Sequence, residues 1–166
     1  MEVSKRLKLA YISPMPPLKT GIADYSAELI PFLSEYYDIT VIVNQGEVSD
    51  NWAKINCDIR QSKWFNKYSG SFDRVIYHIG NSSFHEHMFD LLEKVPGVVV
   101  LHDFYLGHVQ AAREFSGDAK SSWTRELYFS HGYNALISRF QANDLEKVVW
   151  NYPVSFSVIS NSKGVI

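Results

Sequence analysis

The sequence predicts an α/β domain: a doubly wound, mostly parallel sheet with helices on both faces. Three observations carry this. Short apolar runs recur as LKLAYIS (7–13), DITVIVNQ (38–45), FDRVIYHIG (72–80) and VVVLHD (98–103). These runs are apolar throughout rather than alternating with polar residues, the pattern of strands covered on both faces. Segments of helical periodicity lie between them, and a strand–helix alternation of this kind builds parallel sheets.

Taken in order, 7–13 reads as a buried strand that Pro14, Pro16 and Pro17 end in an irregular loop. IADYSAELIPFLSEY (22–36) then spaces Ile22, Tyr25, Leu29, Phe32 and Leu33 along one helical face. Asp24 falls in the first turn, where the helix dipole favours it, and Pro31 predicts a bend. Residues 38–45 form a second buried strand rich in β-branched side chains. CDIRQ (57–61) is a weaker strand and SKWFNKY (62–68) a short helix. After the strand at 72–80, Phe84, Met88, Leu91, Leu92 and Val95 share a helical face that Pro96 and Gly97 close. VVVLHD is the strongest fully buried strand, followed by a helix over 104–115. Two helices are expected, over 122–132 and 134–150, and SFSVISNS (155–162) reads as a last strand.

The 166 residues suit one domain, spanning 1–166, with 46% hydrophobic and 20% charged residues. A formal net charge of −2 with no dense Lys/Arg run argues against nucleic acid as a partner and leaves only peripheral association with a membrane. Cys57 is the single cysteine, so no internal disulfide forms, and a cytoplasmic setting is expected. The apolar part of the opening MEVSKRLKLAYISPMPP is too short for a secretion signal or a membrane span.

Ligands of open parallel sheets bind beyond the carboxyl ends of the strands, which directs attention to three clusters. The first is Lys19, Thr20, Gly21 and Asp24, where a glycine at a helix N-terminus lets backbone N–H groups approach an anion such as a diphosphate, or merely permits the turn. No Gly-x-Gly-x-x-Gly or Walker lysine pattern is present. The second is Gly80, Asn81, Ser82 and Ser83 with His85 and His87. On a helix these two histidines point about 200° apart, so they do not share a metal ion, and no metal or cofactor is expected. Asn81 offers its amide to a sugar hydroxyl or to the loop backbone. The third is His102 and Asp103, a donor–acceptor pair held rigidly by the preceding strand, or a backbone-bonded histidine beside a helix cap.

Three stretches together, YISPMPPLKTGIADYSAELIPFL, YHIGNSSFHEHMFDLLEKVPGVVVLHDFYLGH and SFSVISNSKGVI, resemble the N-terminal domain of the GT4-type (group 1) retaining glycosyltransferases of GT-B fold. The most specific parts are Gly-Ile-Ala-Asp-Tyr, Gly80-Asn81 and the Leu-His-Asp after the valines. The resemblance implies an acceptor-side domain whose partner, a C-terminal domain, holds most of a nucleotide-sugar donor. It implies transfer with retention to a glycan or lipid-linked acceptor, usually without metal. Gly21 and Thr20 would then lie by the donor diphosphate, His102 with Asp103 by the transferred sugar, and Asn81, Asp24 and His85 by the acceptor. The basic and acidic pairs expected to hold the donor have no counterpart in this sequence, and the apolar run ending at Ile166 reads as interrupted, so this chain alone is expected to be inactive. The alternative is a non-catalytic Rossmann-like module that binds a ligand or protein.

Overall fold

The computed structural model describes residues 6–166. They form one open sheet of six strands in the order β3-β2-β1-β4-β5-β6. The strands are β1 (Leu7–Ile12), β2 (Tyr37–Val43), β3 (Asp58–Gln61), β4 (Arg74–Ile79), β5 (Val98–Leu101) and β6 (Gly164–Val165). Every neighbouring pair is parallel. The helices are α1 (Gly21–Leu33), α2 (Asn51–Asn56), α3 (Ser62–Tyr68), α4 (Glu86–Lys94), α5 (Gly107–Phe115), α6 (Ser122–His131), α7 (Tyr133–Gln141), α8 (Leu145–Asn151) and α9 (Phe156–Asn161). This is the doubly wound α/β fold that the apolar runs predict.

The period of two along each strand sorts its side chains between two apolar layers. Ala10 and Ile12 of β1 join Ile42, Tyr77, Ile79 and Val99 in a core completed by α4, α5, α6 and α8. Leu9 and Tyr11 point the other way, joining Ile39, Val41 and Val43 against Ile30 of α1 and Ala53 of α2. Burial on both faces explains why β1 and β2 show no polar alternation. Helix α1 opens with a cap, Thr20 Oγ1 accepting the Ala23 N–H at 3.0 Å. It continues through Pro31 to Leu33, since only its last turn lies beyond the proline.

Three expectations change. Residues 155–162 are mostly the helix α9, not a strand, and Ser155 O accepts the Ile159 N–H at 3.0 Å. The place beside β5 is taken by Gly164 and Val165, paired with Val98 and Val99. The segment before them therefore buries Val158 on a helical face and exposes Phe156 and Ile159. β5 is less buried than its three valines suggest: Val99 alone is fully enclosed, because the strand beside it is only two residues long. The helical pattern over 134–150 is divided at Ala142–Asp144, where Asp144 Oδ1 accepts the Glu146 N–H and starts α8. No helix among the described residues is long and apolar enough to cross a membrane.

α8 packs against the start of α5 at Gly107. A Cβ there would stand 2.6 Å from the Val149 carbonyl oxygen and 2.9 Å from Val149 Cγ1. Gly107→Ala is therefore expected to lower stability by about 1–3 kcal/mol despite alanine's better helix propensity. A fall in the urea midpoint at unchanged slope checks this. A stabilised variant would show that α8 moves away at little cost.

Candidate functional site

The pairing of β1 with β4 is where strand order reverses. β1 leads through α1 to β2 on one side, and β4 leads through α4 to β5 on the other. The loops after β1 and β4 run to opposite sides from this point, the usual ligand position in such sheets. All three sequence clusters lie at this edge: Gly21 opens α1 after β1, Asn81 follows β4, and His102 follows β5.

Gly80 is the point on which the loops converge. A Cβ there would lie 2.6 Å from Ile22 Cδ1, 3.0 Å from His85 Nε2 and 3.1 Å from Asp103 Oδ2, so glycine lets α1, the β4 loop and the β5 loop meet. Asp103 Oδ2 accepts the Asn81 N–H at 2.8 Å, tying the β5 loop to the β4 loop. The carboxylate itself is exposed and does not cap the following helix, whose N-cap is Leu106.

His102 is half-buried and faces a histidine that sequence reasoning passed over. His78 Nδ1 and His102 Nε2 lie 3.0 Å apart. The His78 ring is fully buried, 4.5 Å from the Tyr11 ring, while Tyr25 sits edge-on to His102 at 5.3 Å. His78 was hidden inside an apolar strand, where a lone polar residue attracts no notice. The available signal was its place next to last in the strand, on the face opposite Tyr77 and Ile79. Beneath it Tyr11 Oη bonds Ser26 Oγ at 3.1 Å, and Ser13 Oγ lies 2.6 Å from Ser26 Oγ. These hydroxyls bind the end of β1 to α1.

Two of the expected acceptor contacts are turned inward. Asn81 Oδ1 accepts the Val109 N–H at 3.0 Å and Nδ2 lies 3.1 Å from His108 Nδ1, so its amide caps α5 instead of staying free for an acceptor. His85, also expected to meet an acceptor, is only 1% exposed, and its Nδ1 lies 2.9 Å from the His78 carbonyl oxygen. Asp24 stays exposed on the first turn of α1. Thr20 uses an oxygen lone pair as the α1 cap but keeps its hydroxyl proton to donate. Gly21 is exposed, has no positive φ, and a Cβ there would meet nothing within 4 Å. Neither the turn nor the packing within the chain requires this glycine.

Burial makes the histidines poor proton acceptors. It pushes His78 down to about 3, with His102 and His85 adding to the effect. His85 falls to about 4, its bond to the His78 carbonyl acting in the opposite direction, and His87 falls to about 4. His102 is also lowered by burial, against the pull of Asp103. Among the described residues no group of three or more His, Cys, Asp or Glu side chains is placed to hold a metal ion.

Fold and site together define a Rossmann-like α/β domain that carries an imidazole, a carboxylate and a helix N-terminus at the carboxyl edge of its sheet. Comparison with protein families, with curated proteins and with solved structures returns no match.

The histidine values carry a pH prediction. Folded values for His78, His85 and His87 lie below the ordinary value of about 6.5, so below that pH the unfolded chain binds more protons than the folded one. Stability present above about pH 6.5 is then lost as pH falls toward about 4, by up to about 1.4 kcal/mol per pH unit for each histidine. Urea midpoints measured across this window should fall steadily, and a flat profile would mean that the buried rings are already charged in the native state.

Proposed function

We propose that this chain is the acceptor-side domain of a glycosyltransferase that moves a sugar from a nucleotide-sugar donor to a glycan or lipid-linked acceptor with retention. The observation that carries the reading is Gly21. It is the first residue of a long helix at the switch point of the sheet, and the space its side chain would fill is open. A helix N-terminus offers free N–H groups and a positive dipole end to a phosphate, and a missing side chain lets the phosphate come close. The Thr20 hydroxyl stands beside it as a further donor.

His102 supplies the second element. Held by β5 and by His78, it presents a neutral ring able to bond the hydroxyls of the transferred sugar, and the exposed Asp103 carboxylate lies next to it. Asp24 is an exposed carboxylate on the first turn of α1, suited to an acceptor hydroxyl. Most of the rate enhancement in this reading comes from positioning and from stabilising developing charge. The donor nucleotide is held mainly by a second domain beyond these residues, so the chain alone is silent.

Two variants of the full-length parent test this in one sugar-transfer assay, with the present chain as control. Gly21→Val is expected to leave the unfolding free energy from urea titration within about 0.5 kcal/mol of wild type, since a Cβ there meets nothing within 4 Å. The same variant should abolish most transfer. His102→Ala is expected to lower kcat/KM by about 10²-fold or more, the scale of losing one donor at a site of developing charge. Full activity in Gly21→Val would sink the diphosphate assignment. A parent inert with every donor tried would favour a Rossmann-like binding module.

A further inference from the structure

In the reading above His78 serves only to hold His102, and its ring is the only protein group bonded to the His102 side chain among the described residues. The pair has an unusual constraint. Both rings are held neutral, so one nitrogen of the 3.0 Å contact must donate and the other accept. The other nitrogen of His78, Nε2, is buried with no partner. If His102 donated, His78 would have to carry its own proton on that isolated Nε2, leaving a buried N–H unbonded. Buried donors without partners are rarer than buried acceptors without partners. The arrangement that avoids the orphan donor has His78 Nδ1–H donating to His102 Nε2.

We infer that His78 is a positioning residue for His102, setting its tautomer so that His102 carries its proton on Nδ1. Nδ1 has no protein partner among the described residues and so stays free to donate to a ligand hydroxyl. The same bond stops the half-buried ring from turning over. The walls of the pair leave His78 little room to respond otherwise. Tyr11 of β1 stacks on it, Tyr25 of α1 faces both rings, the His85 ring is bonded to the His78 carbonyl, and Asp103 is the one carboxylate adjoining His102. The use of that proton in sugar transfer rests on the function proposed above, whereas the tautomer itself does not.

The test is a long-range proton–nitrogen correlation spectrum of the imidazoles in this chain, at about pH 7.5 where an ordinary histidine is neutral. His102 should appear as a single Nδ1–H form. In His78→Phe the donor is gone, and the Nε2–H form should become the major one. In His78→Asn the amide stands where Nδ1 stood and can donate, so the Nδ1–H form should return. A wild-type spectrum showing His102 as Nε2–H, or a His78→Phe variant that keeps the wild-type form, overturns the inference. If His78→Phe fails to fold, the wild-type spectrum still decides the tautomer. No sugar nucleotide enters the measurement, so an inert parent and a wrong tautomer are separate failures. In an active parent, His78→Phe should lower kcat by roughly 10-fold and His78→Asn should recover most of it, the scale of one misaligned hydrogen bond.

Discussion

The pairing of β1 with β4 is the constraint on which the rest of the molecule depends. It joins Leu9–Ile12 to Arg74–Tyr77, segments with two strands and three helices between them. No turn chemistry specifies this contact. It forms because both strands are apolar on both faces and each offers a full ladder of backbone groups, so burying either one alone would leave donors and acceptors unpaired. Once formed, it fixes the direction in which each chain half winds. Residues 21–71 cover one flank of the sheet and residues 81–166 the other. The switch point is the seam between those windings.

The seam also explains why polar chemistry and tight packing coincide there. Strand ends release backbone amides from the ladder, and those amides need partners or solvent. At the end of β4 they meet a carboxylate from the β5 loop, and the approach is possible because residue 80 has no side chain. The same closeness removes water from His78 and His85. Their neutrality follows from geometry, since a charged imidazole would have to give up hydration, a cost that the Asp103 carboxylate near His85 only partly offsets. A neutral ring both donates and accepts, which suits hydroxyl groups better than charged ones.

Much of the fold was legible in the sequence because it is written in long, repeated patterns. Four apolar runs and the helices between them depend on periodicity over many residues, and a doubly wound sheet is the arrangement that buries them all. The segment 155–162 was misread for a local reason. Its alternation of serine with Phe156, Val158 and Ile159 fits a strand, but six residues also fit less than two helical turns, and the neighbour that decided between them lies at 164–165. At the site, positions were readable and partners were not. That His102 ends a strand follows from the valines before it. That it faces His78, or that Asn81 caps α5, depends on loops meeting across 24 and 28 residues, and no sequence spacing encodes those meetings.

Structural use and functional availability can be told apart at this edge by asking which polar groups are already satisfied. Asn81 has both ends of its amide engaged, His85 is engaged and buried, and the Ser13, Ser26 and Tyr11 hydroxyls bond one another. Removing any of these would disturb loop positions first, and any change in chemistry would follow from that. Asp24, the Thr20 proton, the second oxygen of the Asp103 carboxylate and the His102 nitrogen that has no partner among the described residues remain, together with the open space at Gly21. They come from two separate segments, the start of α1 and the loop after β5, at one edge of the sheet. A fold needs its buried polar groups paired and has no such requirement for exposed ones. The groups left at the switch point are therefore the ones whose replacement would leave the internal bonding of the fold intact.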